Sequence, residues 1–314
     1  MNKLSSNDKK PLHIENPIAE TLLIPLYMKA KLTNQNSIII KDSSAVDLVS
    51  KLNYNFDKFS AADMSLIGCG LRADYFDQYA IQKIEQSIQQ NYHLVIISIG
   101  CGLDNRYQRI VEQTNIDKTY FDNIHFYEID LPEVIELRSK LIPEKYNQHY
   151  IAGSMFEDKW LIDILNTLKL NTTNNNLPIN VNFCFLIEGV LMYFQSEQVK
   201  SFFAMLADTL THANKTSKDS YHIADIDIMF DATGVLATKF SKKHDAVRHM
   251  NAEFKWGMSN NEQLTIWDKR YKLQSSKYIM DIKPHLWSIK AKLIRLIPKF
   301  RKFSKILNYS IEIN

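Results

Sequence analysis

The spacing of apolar residues divides the chain into a helical first part and an alternating second part. Ile18, Leu22, Leu23, Leu26 and Ala30 recur at three- and four-residue steps, which predicts a helix with one buried face over residues 18–31. A second short helix is predicted over 44–52, opened by a serine cap, while 37–40 fits neither period. From Ser60 to Asn91 the pattern is again mostly helical, with Arg72, Tyr75, Phe76, Tyr79 and Ile84 on one stripe. Glycines at 68 and 70 predict an interruption there, the helix resuming over 71–90.

A different rhythm then begins. Apolar runs at 94–99, 124–129, 149–152, 183–187 and 222–226 read as strands, separated by helical patterns at 106–113, 132–141, 159–168 and 196–210. Pro132 suits the first turn of its helix, where a missing N–H costs nothing. Strands that alternate with helices argue for a parallel sheet covered on both faces, because parallel neighbours need crossover connections. The asparagine-rich stretch 171–180 reads as a loop. Residues 229–258 read as largely helical, followed by 264–267, a strand at 271–278, a helix at 284–296 and an apolar end at 306–313. The expected organisation is a polar tail (1–17) and one domain (18–314): a helical cap over 18–92, a core over 93–228, and an insertion with completion of the sheet over 229–314.

Composition changes this picture little. The chain has 314 residues, 45% hydrophobic and 23% charged, as a globular protein should. A net charge of +3 gives no case for nucleic-acid binding. No apolar stretch has the length of a membrane span, and the polar start lacks a signal-peptide core, so a soluble cytoplasmic protein is expected. Three scattered cysteines (69, 101, 184) indicate neither a disulfide framework nor a metal site. Lys283–Lys305 holds eight Lys/Arg and no acid, interleaved with apolar residues. A solvated helix face explains it; an anionic substrate, an acidic carrier or peptide partner, or a membrane surface could use it.

Candidate chemistry lies where the strands end, since open parallel sheets bind ligands across their carboxyl edge. The first strand runs into Gly100-Cys101-Gly102-Leu103-Asp104, whose glycines permit positive φ and would let a ligand lie against bare backbone. The helix starting near Asn105 would turn its N-terminus toward an electron-rich group. Asp130 ends the second strand, where a carboxylate can accept ribose hydroxyls, although an acid before a proline helix can also be only a cap. The third ends at Gly153-Ser154-Met155 and the fourth at Glu188, a carboxylate costly to bury unless paired. A nicotinamide dinucleotide would want a third glycine where Asn105 stands, so a phosphate-free adenosine ligand fits better, which leads to S-adenosylmethionine.

The segments G-C-G-L-D-N-R, F-Y-E-I-D-L-P-E-V and L-I-E-G-V-L-M-Y-F, with L-R-A-D-Y-F-D upstream and A-E-F-K-W-G downstream, resemble the leucine carboxyl methyltransferase superfamily. The resemblance is closest to its bacterial polyketide O-methyltransferase branch and covers the chain from about Ser60 to its end. It implies a Rossmann-like class I methyltransferase fold: a mostly parallel seven-stranded α/β sheet with an N-terminal helical cap and an insertion after the fifth strand. It also implies S-adenosyl-L-methionine as cofactor, held by Arg72 at the methionine carboxylate, Gly100, Cys101, Gly102 and Asp104 in the loop, Asp130 and Leu131 at the ribose, Ser154 and Met155 at the adenine, and Glu188 near the amino group. Two positions depart from the family: Asn105 where threonine is frequent, and Ser154-Met155 where many members have Asp-Leu.

The expected function is O-methylation of a small molecule, a secondary metabolite, on carboxylate or hydroxyl; methylation of a peptide or protein C-terminus is the alternative. An NAD(P) oxidoreductase and an inactive binding module are the rivals outside this class. A carboxylate acceptor needs no base. A phenol or alcohol would, and by region His222, Tyr193, His244 and His249 are the candidates, with Tyr193 and His222 placed in the substrate pocket. A lone strand histidine is more often structural, and His244 and His249, five apart, share no helix face and make no metal pair.

Overall fold

The computed structural model describes residues 10–11, 14–114, 121–172, 178–240 and 244–313. Its centre is a seven-stranded sheet. The strands are β1 (His93–Ile99), β2 (Ile124–Asp130), β3 (Gln148–Ala152), β4 (Ile179–Ile187), β5 (Tyr221–Thr233), β6 (Tyr271–Tyr278) and β7 (Ser304–Ile311). Their order is β3-β2-β1-β4-β5-β7-β6. The first five are parallel, and β7 runs antiparallel to both neighbours. Strand order reverses between β1 and β4, where Ile99 lies beside both Ile129 and Ile187, so the carboxyl ends of three strands meet at one place.

Alternation along β1 shows how the sheet is buried twice. Leu94 and Ile96 join a core on one face, Val95, Ile97 and Ile99 a second core on the other, and all five are at most 1% exposed. The first core packs against α1 (Leu23–Asn34), α2 (Ser43–Lys51) and α3 (Asp63–Gln90). Around the sheet also run α4 (Arg106–Gln113), α5 (Pro132–Leu141), α6 (Lys159–Thr172) and α7 (Ser196–Thr216), the second core taking in α6 and α7. A short helix, α8 (Ile289–Arg295), belongs to the segment between β6 and β7. Among the described residues no helix is long and apolar enough to cross a membrane.

Four expectations need correction. The glycines at 68 and 70 do not interrupt α3, which is continuous over 28 residues until Asn91 turns left-handed. A Cβ on Gly70 would stand 2.3 Å from Leu32 Cδ1, so its missing side chain serves the close approach of α1, not a break. The cap of α2 is Asp42, whose carboxylate accepts the Ala45 N–H at 2.8 Å, rather than a serine. The region 229–258 is not largely helical. Strand β5 continues through Met229–Thr233, where it is flanked by β4 and β7 and buried. Among the described residues from 234 to 258, helical structure is confined to the turns Val235–Lys239 and Val247–His249. Of the stretch read as a loop, 171–172 end α6 and Asn180 lies in β4; 173–177 fall outside the described residues.

One consequence of sheet burial can be measured as acid sensitivity. The His125 ring on β2 lies 6.4 Å from His149, and burial, then His149 and His93, push its pKa down to about 4 despite the opposing Asp122. In the unfolded chain it returns to about 6.5. The depressed folded value means that this group's stabilisation is complete above about 6.5 and is lost as pH falls toward about 4. Thermal unfolding from pH 7 to 4 should therefore show a shallower fall in Tm for His125→Phe than for the natural chain; parallel curves would refute the assignment.

Candidate active site at the strand carboxyl edge

The loop after β1 is held by its neighbour strand. Gly100 and Cys101 donate backbone N–H groups to Ile129 O at 2.8 and 3.1 Å, and Gly102 donates to Asp130 Oδ2 at 2.7 Å. Asp130 Oδ1 accepts from Leu131 N at 2.7 Å. Each carboxylate oxygen thus spends one bond on backbone and keeps acceptor capacity toward the cavity that Asp130 lines. Burial pushes the Asp130 pKa up, the N–H groups of Gly102 and Leu131 acting against it. Gly100 and Gly102 have φ of +68° and +52°, as the loop requires. Their absent side chains, however, make room for protein: a Cβ would meet Val190 Cγ2 at 2.4 Å or Leu22 Cβ at 3.0 Å. The ligand-facing surface is the loop backbone, and the glycines let Val190 and Leu22 close over it.

Behind the loop lies a network of buried ions. Arg72 on α3 donates from Nε to Glu188 Oε1 at 2.9 Å and from Nη1 to Asp231 Oδ2 at 2.8 Å. Arg106 bonds Asp77 at 2.9 Å and the second oxygen of Glu188. Arg109 binds Asp77, Asp42 and Asp104 at 2.7, 2.7 and 2.6 Å, and Lys29 from α1 pairs with Asp104. Gly189 N donates to Asp231 Oδ1 at 2.6 Å. Burial raises the pKa of Glu188, but Arg72 and Arg106 outweigh it and hold the carboxyl below its usual value. Arg109, Lys29 and Arg106 likewise overcome burial and hold Asp104 well below. Asp231 goes the other way: burial dominates and its pKa rises, in spite of Arg72. Five carboxylates (42, 77, 104, 188, 231) face four cations (29, 72, 106, 109), so the ionised network has one negative charge in excess.

The network and loop form one wall of a cavity of about 750 Å³. Gly100, Cys101, Gly102, Asp104, Asp130, Leu131, Ser154, Met155 and Glu188 line it together, so the structure brings the expected cofactor residues to one place. Arg72 lines it too, with two of its three nitrogens already bonded to Glu188 and Asp231; only Nη2 has no protein acceptor among the described residues. The far end is apolar: Met64, Met192, Phe254, Met280, Trp287 and Phe303. Tyr193 bridges the two ends, its ring 5.6 Å from Phe254 and its hydroxyl beside Thr21 and within reach of Arg72 and Asp231; burial pushes the hydroxyl pKa up to about 12, Thr21 and Arg72 opposing.

The histidines separate. His222 is exposed at the amino end of β5, opposite the edge that carries the site, because the strand continues eleven residues beyond it to Thr233; it does not line the cavity. His249 is exposed against Phe59 and does not line it either. His244 does. Its Nδ1 accepts from the backbone N–H groups of Ala246 and Val247 at 3.4 and 3.3 Å, and burial lowers its pKa, Asp245 opposing. The neutral ring therefore carries its proton on Nε2 and presents a donor. Asp245 accepts from Met64 N and Ser65 N, both at 3.1 Å, and from the Ser65 hydroxyl.

Several of these groups were not picked out in the sequence: Lys29, Asp42, Asp77, Arg106, Arg109, Asp231 and Asp245. Signals existed for two. Lys29 falls on the predicted apolar face between Leu26 and Ala30, and Asp231 interrupts the run I-M-F-D-A-T. Charges on a buried stripe demand partners.

A family model described as leucine carboxyl methyltransferase matches residues 22–207. The tetracenomycin polyketide synthesis O-methyltransferase TcmP of Streptomyces glaucescens is 24% identical over 299 residues, 93% of this chain and 96% of that protein. The S-adenosyl-L-methionine-dependent methyltransferase dpfgK of Gibberella zeae is 24% identical over 261 residues, 78% of this chain and 76% of that protein. A putative S-adenosyl-L-methionine-dependent methyltransferase of Mycobacterium tuberculosis is 23% identical over 184 residues, covering 59% of this chain and 48% of its own.

The network should behave as a unit. Removing one member of a buried pair leaves its partner charged and uncompensated, at a cost of about 3–5 kcal/mol. Arg109→Ala, which takes a shared cation from Asp42, Asp77 and Asp104 and leaves five carboxylates facing three cations, should lower the unfolding free energy by that amount in urea titrations, whereas exposed Glu136→Ala should change it by less than about 0.5 kcal/mol. Equal effects of the two would disprove the network's role in holding the site.

Proposed function

The chain belongs to the leucine carboxyl methyltransferase family, and from that premise we propose that it methylates the carboxylate of a lipophilic small molecule made by secondary metabolism. It is an S-adenosylmethionine-dependent methyltransferase. The residues present fit that cofactor. Asp130 keeps a free acceptor direction on each oxygen for the two ribose hydroxyls. Gly153 adjoins open space, with nothing within 4 Å of where a Cβ would be, beside Ser154 and Met155, which would take the adenine. The one-charge excess of carboxylates in the buried network favours a positively charged donor. Glu188, with Arg72 Nη2, would meet the amino-acid end.

When bound, S-adenosylmethionine supplies a methyl group activated by sulfonium. Transfer is an in-line displacement, so the chain contributes alignment, exclusion of water and fixed charge. What decides the acceptor is the set of polar groups at the apolar end. Tyr193, with its raised pKa, stays protonated; His244 presents Nε2–H; Asp245 is spent on the amino end of α3. Among the described residues donors are therefore at hand and an unengaged base is not, which suits a carboxylate, already nucleophilic, better than a phenol or alcohol. That contrast is the observation that carries the reading. The apolar lining by Met64, Met192, Phe254 and Met280 favours a small molecule over a peptide terminus, whose amide groups would be buried without partners. TcmP, whose name places it in polyketide synthesis, supports an aromatic or polyketide-like acid as the first acceptors to try.

The test is a screen of lipophilic carboxylic acids against matched phenols with methyl-labelled cofactor. Label released by mild base, as from a methyl ester, is expected; label found only in base-stable ethers would overturn the carboxylate assignment. Asp130→Asn should weaken S-adenosylhomocysteine binding about tenfold or more in calorimetry, since one oxygen that accepts becomes a donor, at about 1–3 kcal/mol. Tyr193→Phe should leave that affinity within twofold and lower kcat/KM for the acceptor about tenfold, the loss of one hydrogen bond at the acceptor end.

A further inference from the structure

The segment between β6 and β7 has apolar residues on two sides. Trp287 and Ala291 are buried, and Trp287, Ile294, Phe300 and Phe303 line the main cavity. Facing outward, Ile289, Leu293, Leu296, Ile297 and Phe300 are 79, 62, 74, 47 and 47% exposed. Their spacing of four and three residues puts Ile289, Leu293 and Leu296 on a single side of α8 and its cap, and Ile297 follows at once where the backbone turns extended. Five of the twelve large apolar side chains that are exposed among the described residues fall within these twelve positions, which is a patch rather than the usual scatter.

The charge around the patch has one sign. Of the eight basic residues from 283 to 305, Lys283 pairs with Asp74, Arg295 and Arg301 share Asp281, and Lys305 is bonded to Asn261. Lys290, Lys292, Lys299 and Lys302 have no acidic partner among the described residues and are exposed. A second apolar groove of about 470 Å³, lined by Leu236, Phe240, His244, Lys299, Phe300 and Phe303, abuts the patch; His244, Phe300 and Phe303 also line the main cavity. The patch, the groove and the cavity are thus consecutive along one apolar path.

We infer that residues 289–302 seat the enzyme on an anionic lipid bilayer, with the aliphatic stripe at the boundary of headgroups and acyl chains and the four unpaired lysines on lipid phosphates. The chemistry favours a bilayer over an acidic protein. Apart from the lysines and the half-buried Arg295, which Asp281 holds, the exposed face from Ile289 to Phe300 offers aliphatic and aromatic carbon, and aliphatic side chains ringed by cations are the composition of an interfacial helix. Delivery of a lipophilic acceptor from the bilayer past Phe300 rests on the reading of the acceptor given above; the docking itself does not.

The test uses the full chain, sedimented with vesicles of phosphatidylcholine alone or of phosphatidylcholine mixed with phosphatidylglycerol. Partition onto the mixed vesicles is expected, little onto the neutral ones, and weakening as salt is raised. Lys290→Glu with Lys292→Glu should reduce partition about tenfold or more, and Leu293→Ser with Leu296→Ser should do the same at unchanged charge. Both pairs are exposed and outside the site, so S-adenosylhomocysteine affinity should stay at the natural value and certify the fold. No partition onto anionic vesicles, partition indifferent to both double variants, or binding to an acidic acyl carrier protein in place of vesicles would each overturn the proposal.

Discussion

Four cations and five carboxylates, six of them buried and three (Arg72, Asp104, Glu188) partly buried at the cavity wall, close around Arg106 and Arg109 and are the constraint on which the rest of this structure depends. The members come from seven places: α1 (Lys29), the cap of α2 (Asp42), α3 (Arg72, Asp77), the loop after β1 (Asp104), α4 (Arg106, Arg109), the end of β4 (Glu188) and the end of β5 (Asp231). Desolvating so many charges is expensive, and a buried ion pair contributes little net stability over a well-packed apolar one. What it does supply is position. Arg109 reaches three carboxylates with one rigid fork, so α2, α3 and the glycine loop cannot move independently. The opposing pKa directions of Glu188 and Asp231, both bonded to Arg72, follow from the second arginine at Glu188, which Asp231 lacks.

The sheet was largely legible in the sequence because its period is simple. Buried parallel strands are short continuous apolar runs, and the runs ending at Ile99, Ile129 and Ile187 appear where they were expected, within a few residues. Failures have local causes. Residues 229–233 belong to β5, but a strand covered on both faces and flanked on both sides has no alternation, and Asp231 within it imitates the polar step of a helix. Gly68 and Gly70 looked like a helix break because propensity sees only the cost of glycine, whereas Gly70 answers to Leu32 across a helix contact that no local window contains.

The site divides along the same line. Asp130, Glu188, Ser154 and Met155 were readable as strand ends, since topology alone sends them to the cavity. Arg106 and Arg109 were not. On a short helix they look like solvated charge, and only tertiary contact with Asp77 and Asp104 shows them buried. His222 failed for another reason: it is the first residue of the run read as 222–226, and the strand extends seven residues past that run to Thr233, which puts His222 at the far end from the site.

Helix α3 adds a second consequence of that constraint. Ser65, Gly68, Cys69 and Arg72 all line the cavity, at the steps that keep residues on one face of a helix. Its first turn is anchored by Asp245, beside the apolar part of the cavity; two turns later Arg72 binds Glu188 at the ionic wall, and a turn beyond that Asp77 holds Arg106 and Arg109. At 1.5 Å per residue, Ser65 and Arg72 are separated by about 10 Å along the axis. On the proposed assignment of the two ends, one continuous helix would set the distance between the chamber for the acceptor and the pocket for the donor. A break at Gly68, which local propensity favours, would have uncoupled them. In-line transfer tolerates little error in that distance, and the ion network is what keeps the helix from sliding along the sheet.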